Sequence, residues 1–221
     1  MPVKSDREYR NFTSFGAIET RAKEDGESEM IVEGYASTFE EYDLFSFEGT
    51  TYRERIEPTA FDDADMSDVV FLRDHEGQVY ARTKNGLIDI STDEKGLFTK
   101  TDLSKTSAAR EMYEDIKAGN YSQMSFAFTI EKDHFEDPIE DGERTILTRV
   151  IDRIKKVYDI SAVAFPANPG TDISASTRAC FDGEIERIKA ERLEVQKRKN
   201  EEARKTAELK LKLLEVLGHD S

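Results

Sequence analysis

Gln123-Met124-Ser125-Phe126-Ala127-Phe128 reads as a short aromatic strand that presents a single serine. Alternation puts Met124, Phe126, Phe128 and Ile130 on one face and Ser125, Ala127 and Thr129 on the other. The first face packs a core. The second carries small residues around one hydroxyl, with room above it for something to dock. Two readings follow: a platform for a nucleophile, and an ordinary half-buried strand of the kind in which most serines do no chemistry.

The flanking sequence extends this strand into a β-rich body. Residues 1–29 are polar and without a sustained period, and read as a loose N-terminal arm that Phe12, Phe15 and Ile18 can pin in part. Met30 to Phe39 (MIVEGYASTF) opens the body, and Glu40 to Ala60, rich in Asp, Glu, Gly and Tyr, reads as a long loop. Val69-Val70-Phe71-Leu72 is an unbroken apolar run, expected to be a strand buried on both faces. It ends in the polar turn Arg73-Asp74-His75-Glu76-Gly77. Leu87 to Ile90 and Leu97 to Leu103 flank a hairpin turn at Thr92-Asp93-Glu94-Lys95-Gly96. Thr106 or Ser107 caps a helix running to Ala118, with Met112 and Ile116 on one face and Gly119 as its left-handed stop. After the aromatic strand come a polar loop at 133–144 and strands at 145–151 and 154–165. The last stops at Phe165-Pro166-Ala167-Asn168-Pro169-Gly170.

Composition sets limits on function. Hydrophobic residues make up 37% of the 221 and charged residues 36%, an average too polar for a uniform globule. The aromatic and branched residues lie mainly between Met30 and Phe165, so only that section buries a core. Residues 183–217 read as one long charged helix. Arg192, Lys199, Glu202 and Thr206 fall where a coiled coil needs apolar residues, which leaves a solvated helix or a docking arm. Ten Lys/Arg against seven Glu give 184–212 a local positive excess within a net charge of −15. The body is thus acidic, which argues against direct nucleic-acid binding, because counterion release needs a basic surface. Cys180 is the sole cysteine, which excludes an intrachain disulfide and a Cys-rich zinc site. With no apolar run resembling a leader or a membrane span, the chain reads as cytosolic.

Three residues invite chemistry. Of the three histidines, His134 in a charged loop and His219 near the terminus read as inert. His75 directly follows a buried strand and reads either as a surface-loop histidine or as a side chain aimed by a rigid scaffold. Asp159 lies within Val157-Tyr158-Asp159-Ile160-Ser161-Ala162-Val163-Ala164-Phe165, where a carboxylate is costly to bury without a partner. That partner is a histidine, or Arg149, Arg153 or Lys155. Serine, histidine and carboxylate together are the nucleophile, base and orienter of acyl transfer, although sequence spacing leaves open whether they meet. Asp62, Asp63, Asp65 and Asp68 lack the glycine and closing glutamate of a calcium loop, and no phosphate-binding loop is present, so no metal or cofactor is expected.

Four landmarks, in order, carry a resemblance. They are Gly34-Tyr35-Ala36-Ser37-Thr38-Phe39, Phe71-Leu72-Arg73-Asp74-His75-Glu76, Ser125-Phe126-Ala127-Phe128, and the run from Asp159 to Pro169. Over residues 30–170 the chain resembles the capsid-maturation (prohead) serine proteases of HK97-type tailed bacteriophages. Departures from the family pattern are Asp74 where Asn is common, Ala127 where Gly is common, and Asp159 where Glu is frequent. The resemblance implies an α+β fold with a β-barrel-like mixed or antiparallel sheet, flanking helices and a likeness to herpesvirus assembly proteases, followed here by the charged helix. It implies a protease domain over 30–175, with Ser125 as nucleophile, His75 as base and then acid, and Asp159 orienting the imidazole. The implied substrates are scaffolding protein, the scaffold segment of the major capsid protein, and the protease itself. Cleavage would take place inside the assembling prohead in the host cytoplasm, with self-association allowed and no nucleic acid or membrane involved. The alternative is a non-catalytic capsid assembly factor that keeps the fold.

Overall fold

The computed structural model describes residues 7–11, 19–21, 30–47, 49–141, 144–164 and 175–218. Among these residues the fold is mixed α+β and mostly strands, forming a curled, half-barrel sheet, a smaller sheet and two helices. It divides into two compact units, Met1–Thr177 and Arg178–Ser221.

The first unit is organised around β10 (Gln123–Phe135) and β12 (Arg144–Val163), which pair antiparallel along most of their length. Register shifts in β10 after Ala127, Thr129, Ile130 and Lys132 mark bulges, which increase local twist and curl a long ladder. The other edge of β12 is shared by two parallel neighbours. β5 (Thr50–Ile56) pairs with its first half and β6 (Val70–Arg73) with its second. β1 (Glu8–Asn11) lies on the outer edge of β10, β4 (Tyr42–Phe47) on β5, β7 (Glu76–Arg82) on β6, and β11 (Ile139–Asp141) on the start of β12. The second sheet runs β2 (Glu19–Arg21), β3 (Ile31–Thr38), β9 (Gly96–Asp102), β8 (Ile88–Thr92).

Several sequence expectations hold. The β8–β9 hairpin closes through Asp93 N–H to Gly96 O at 3.0 Å. α1 (Ser107–Lys117) starts at Thr106, whose hydroxyl accepts from Ala109 N–H, and Gly119 has a left-handed φ of 83°. The aromatic face of β10 packs inward. Met124, Phe126 and Phe128 are fully buried, and the rings of Phe126 and Phe128 stack at 4.4 Å.

Other expectations are corrected. The loop assigned to 40–60 contains β4 and β5; Tyr52, Glu54 and Ile56 alternate inward, and the buried glutamate hides the period. The strands expected at 145–151 and 154–165 are a single strand through Val163, because Arg153 and Lys155 alternate outward around buried Ile154 rather than forming a turn. β6 is buried on one face only, with Phe71 inside and Val70 and Leu72 half-buried. Within 1–29, two short stretches are strands rather than loose chain. Phe12, Phe15, Ile18, the Phe165–Gly170 turn and His219 lie outside the described residues.

α2 (Ala175–Gly218) belongs mainly to the second unit. Its exposed surface carries pairs such as Arg187–Glu191, Lys205–Glu201 and Arg204–Glu208, spaced one turn apart.

Phe126 anchors the strand that presents Ser125. Phe126→Ala should cost about 3–5 kcal/mol, read as a lower denaturation midpoint in urea with an unchanged slope.

Candidate active site

Three adjacent strands deliver Ser125, Asp159 and His75 to one place. Ser125 on β10 lies directly across from Ser161 on β12, and Asp159 is two residues from Ser161 on the same face. β6 flanks the opposite edge of β12, with Leu72 beside Ser161 and Arg73 beside Ala162. The chain then turns at Asp74-His75 and returns as β7. A side chain leaving this turn has to reach over β12 alone, two strand spacings of about 4.8 Å each, to approach the β10 serine.

The turn has two central residues, and both take positive φ: 47° at Asp74 and 59° at His75. Tight hairpins with right-handed twist need this geometry, and Asp tolerates it well. Histidine also occurs there more often than most residues, and holding a non-glycine residue in this region costs about 1–3 kcal/mol. Hydrogen bonds to β12 hold the strained pair. Asp74 N–H donates to Ala162 O at 3.0 Å, and His75 N–H to Ser161 Oγ at 3.1 Å. Asp74 Oδ1 accepts from Ala164 N–H at 3.3 Å.

The His75 ring lies between the other two groups. Its Nδ1 is 2.6 Å from Asp159 Oδ1, and its Nε2 is 2.6 Å from Ser125 Oγ. The shorter reach of Asp, compared with the Glu frequent in the resembling family, is enough here. Ser161 completes a small ring: its hydroxyl accepts from the His75 backbone and donates to Asp159 Oδ1 at 2.9 Å. Asp159 thereby accepts two hydrogen bonds while almost wholly buried, which offsets the cost of burying a polar group. With Nδ1–H donated to Asp159, Nε2 is the ring nitrogen that faces Ser125 Oγ. Tyr9 of β1 packs edge-on against the imidazole, with ring centroids 4.8 Å apart. Beside the ring, a cleft of about 620 Å³ is lined by residues that include Arg7, Tyr9, Val70, Leu72, Val79 and Tyr158.

The face of β10 expected to be bare is covered. Ser125 and Ala127 are both fully buried. On its outer edge β10 is paired by β1, in which Asn11 lies opposite Ser125 and Arg10 opposite Phe126. Ser125 Oγ lies 2.8 Å from the carbonyl oxygen of Arg10. Sequence reasoning missed Arg10 and Tyr9, which sit in a polar segment with no apolar period. It also missed Ser161, which period-2 spacing from Asp159 would have placed on the same face. The remaining histidine described, His134, bonds Asp152 at 2.9 Å far along the β10–β12 ladder.

A serine, an imidazole and a carboxylate linked in this way define the serine-hydrolase class of site. The family model of the caudovirus prohead serine proteases matches residues 16–184, and the chain belongs to that family. It is therefore a member of a serine peptidase family of bacteriophage capsid maturation. Comparison with curated proteins and with solved structures finds no match.

Ser161→Ala should take one acceptor from the His75 backbone and one donor from Asp159, at a cost of about 1–3 kcal/mol in local order. Peptidase kcat should fall about tenfold or more with KM little changed. An unchanged kcat would mean that Ser161 serves packing alone.

Proposed function

We propose that Ser125, His75 and Asp159 form the catalytic triad of an endopeptidase that matures the phage prohead. The observation that carries this reading is the imidazole held by hydrogen bonds between a serine hydroxyl and a buried carboxylate. Ser125 Oγ attacks the carbonyl carbon of the scissile peptide as His75 Nε2 accepts its proton. Asp159 holds Nδ1–H and stabilises the imidazolium that forms. His75 then gives the proton to the leaving amine, and the C–N bond breaks to leave an acyl-enzyme on Ser125. Water, deprotonated by His75, attacks the ester and restores the serine.

Family membership supports capsid-related substrates and a place within the assembling capsid in the host cell. The finer reading is that the enzyme cuts scaffolding protein, or the scaffold segment of the major capsid protein, and also itself. In this reading the protease domain spans 30–175 on a herpesvirus-assembly-protease-like body. The charged helix at 183–217 acts as the arm that brings the enzyme into the shell.

The sealed state of Ser125 favours one competing reading, a non-catalytic assembly factor on a protease-like body. The serine separates the two. Ser125→Ala should abolish processing of capsid substrate, measured by gel and mass spectrometry, while proheads still assemble. Asp159→Asn should lower kcat about a thousandfold or more by destabilising the required tautomer. Undiminished processing by Ser125→Ala would reject the catalytic reading.

A further inference from the structure

A peptide can be attacked only when its carbonyl comes within about 3–3.5 Å of the nucleophile. Ser125 is fully buried, and the carbonyl its hydroxyl meets is that of Arg10 in the same chain. The hydroxyl has one hydrogen and two acceptors in reach, His75 Nε2 and Arg10 O. Donation to Arg10 withholds from the imidazole the proton that acyl transfer must move. While β1 stays in place, this edge of β10 is closed to an outside peptide.

β1 has the form of a bound peptide. It is a four-residue extended segment on the outer edge of β10, pairing antiparallel from Glu8–Phe128 to Asn11–Ser125. Adding a strand to a sheet edge is a common way for proteins to take extended peptides. The family match begins at residue 16, so this strand lies outside the part of the chain shared with the family. The matched part contains Ser125, His75 and Asp159.

The residue whose carbonyl meets Ser125 also sends its side chain into a built subsite, on the Phe126 and Phe128 face of β10. Arg10 is buried, and its Nε and Nη2 both donate to Glu54, the latter at 2.7 Å. Glu54 is fully buried and is also bonded by the Tyr42 hydroxyl. The Arg10 guanidinium lies 5.4 Å from the Phe128 ring centroid. Glu54 keeps other partners if Arg10 leaves, since Arg149 Nη1 is 3.6 Å away and Tyr42 remains. The subsite thus survives an exchange of occupants, and a buried carboxylate discriminates strongly for a cation.

Resting on the reading of Ser125 as nucleophile, we propose that Glu8–Asn11 occupies the substrate's own strand position. Substrates displace it, pair with β10 in the same register, and lodge a basic side chain on Glu54 where Arg10 now lies. The substrate class is an extended peptide with Arg or Lys at the residue whose carbonyl meets Ser125.

The test uses the full chain and a serine-directed fluorophosphonate probe. Arg10→Ala, checked for folding by circular dichroism, should label at Ser125 about thirtyfold faster than the natural chain, as expected for loss of one buried ion-pair partner. A synthetic peptide of residues 6–13 should slow that labelling again, and the same peptide with Ala in place of Arg10 should not. Should Arg10→Ala fail to fold, two fluorogenic peptides on the natural chain decide, one with Arg and one with Ala before the scissile bond. The Arg peptide should lead by about thirtyfold or more in kcat/KM. Equal labelling rates with Ser125 modified in both proteins, or equal cleavage of the two peptides, would overturn the strand proposal and leave the nucleophile standing. Failure of Ser125 to label in either protein would remove the nucleophile reading and this proposal with it.

Discussion

The geometry of the site depends on the position of β12 between β10 and β6. Because β12 pairs antiparallel on one edge and parallel on the other, it fixes Ser125, Asp159 and the His75 turn in register at once. A slip of one residue in the β10–β12 pairing would put Ser125 on the face opposite Asp159 and Ser161. Such a slip is resisted by the core, since the stacked, fully buried rings of Phe126 and Phe128 would have to leave it. The hydrophobic face of β10 thereby positions the polar chemistry on its other side.

The polar groups on that side form closed sets of partners. His75 backbone, Ser161 hydroxyl and Asp159 carboxylate satisfy one another, and this offsets the cost of two left-handed residues in the turn. The interior beside β1 holds a second set. Burial pushes the Glu8 carboxyl up, but the charges of Arg10 and Arg149 outweigh burial and hold it below its ordinary value. Burial, together with the Glu54 carboxylate, pushes the Tyr42 phenol well above its ordinary value. Ion pairs of this kind contribute little net stability but leave a costly orphan when broken, so they specify which segment lies where.

The sequence made the fold class legible where one physical rule acted alone. Period-2 alternation found β10, turn chemistry found the β8–β9 hairpin, and capping residues found α1. It failed where a buried charge disguised the pattern. Glu54 sits inward in β5 at a position that reads as solvent-facing, so the strand looked like loop. β1 has no apolar residue except Tyr9 and depends on Glu54 and Arg149 for its place, which only the tertiary structure supplies. Ser125, His75 and Asp159 could be named because each occupies a landmark with recognisable surroundings. Their meeting could not be read, since it depends on parallel pairing between segments almost ninety residues apart.

The central claim is that Ser125 carries the acyl group during peptide cleavage. It is tested most directly by mixing the enzyme with a peptide ester, quenching in acid and mapping the adduct by mass spectrometry. The account predicts one acyl adduct, on Ser125, that forms in the natural chain and not in His75→Ala. Turnover of the ester with the adduct on another residue, or with His75→Ala acylating as fast as the natural chain, would contradict it.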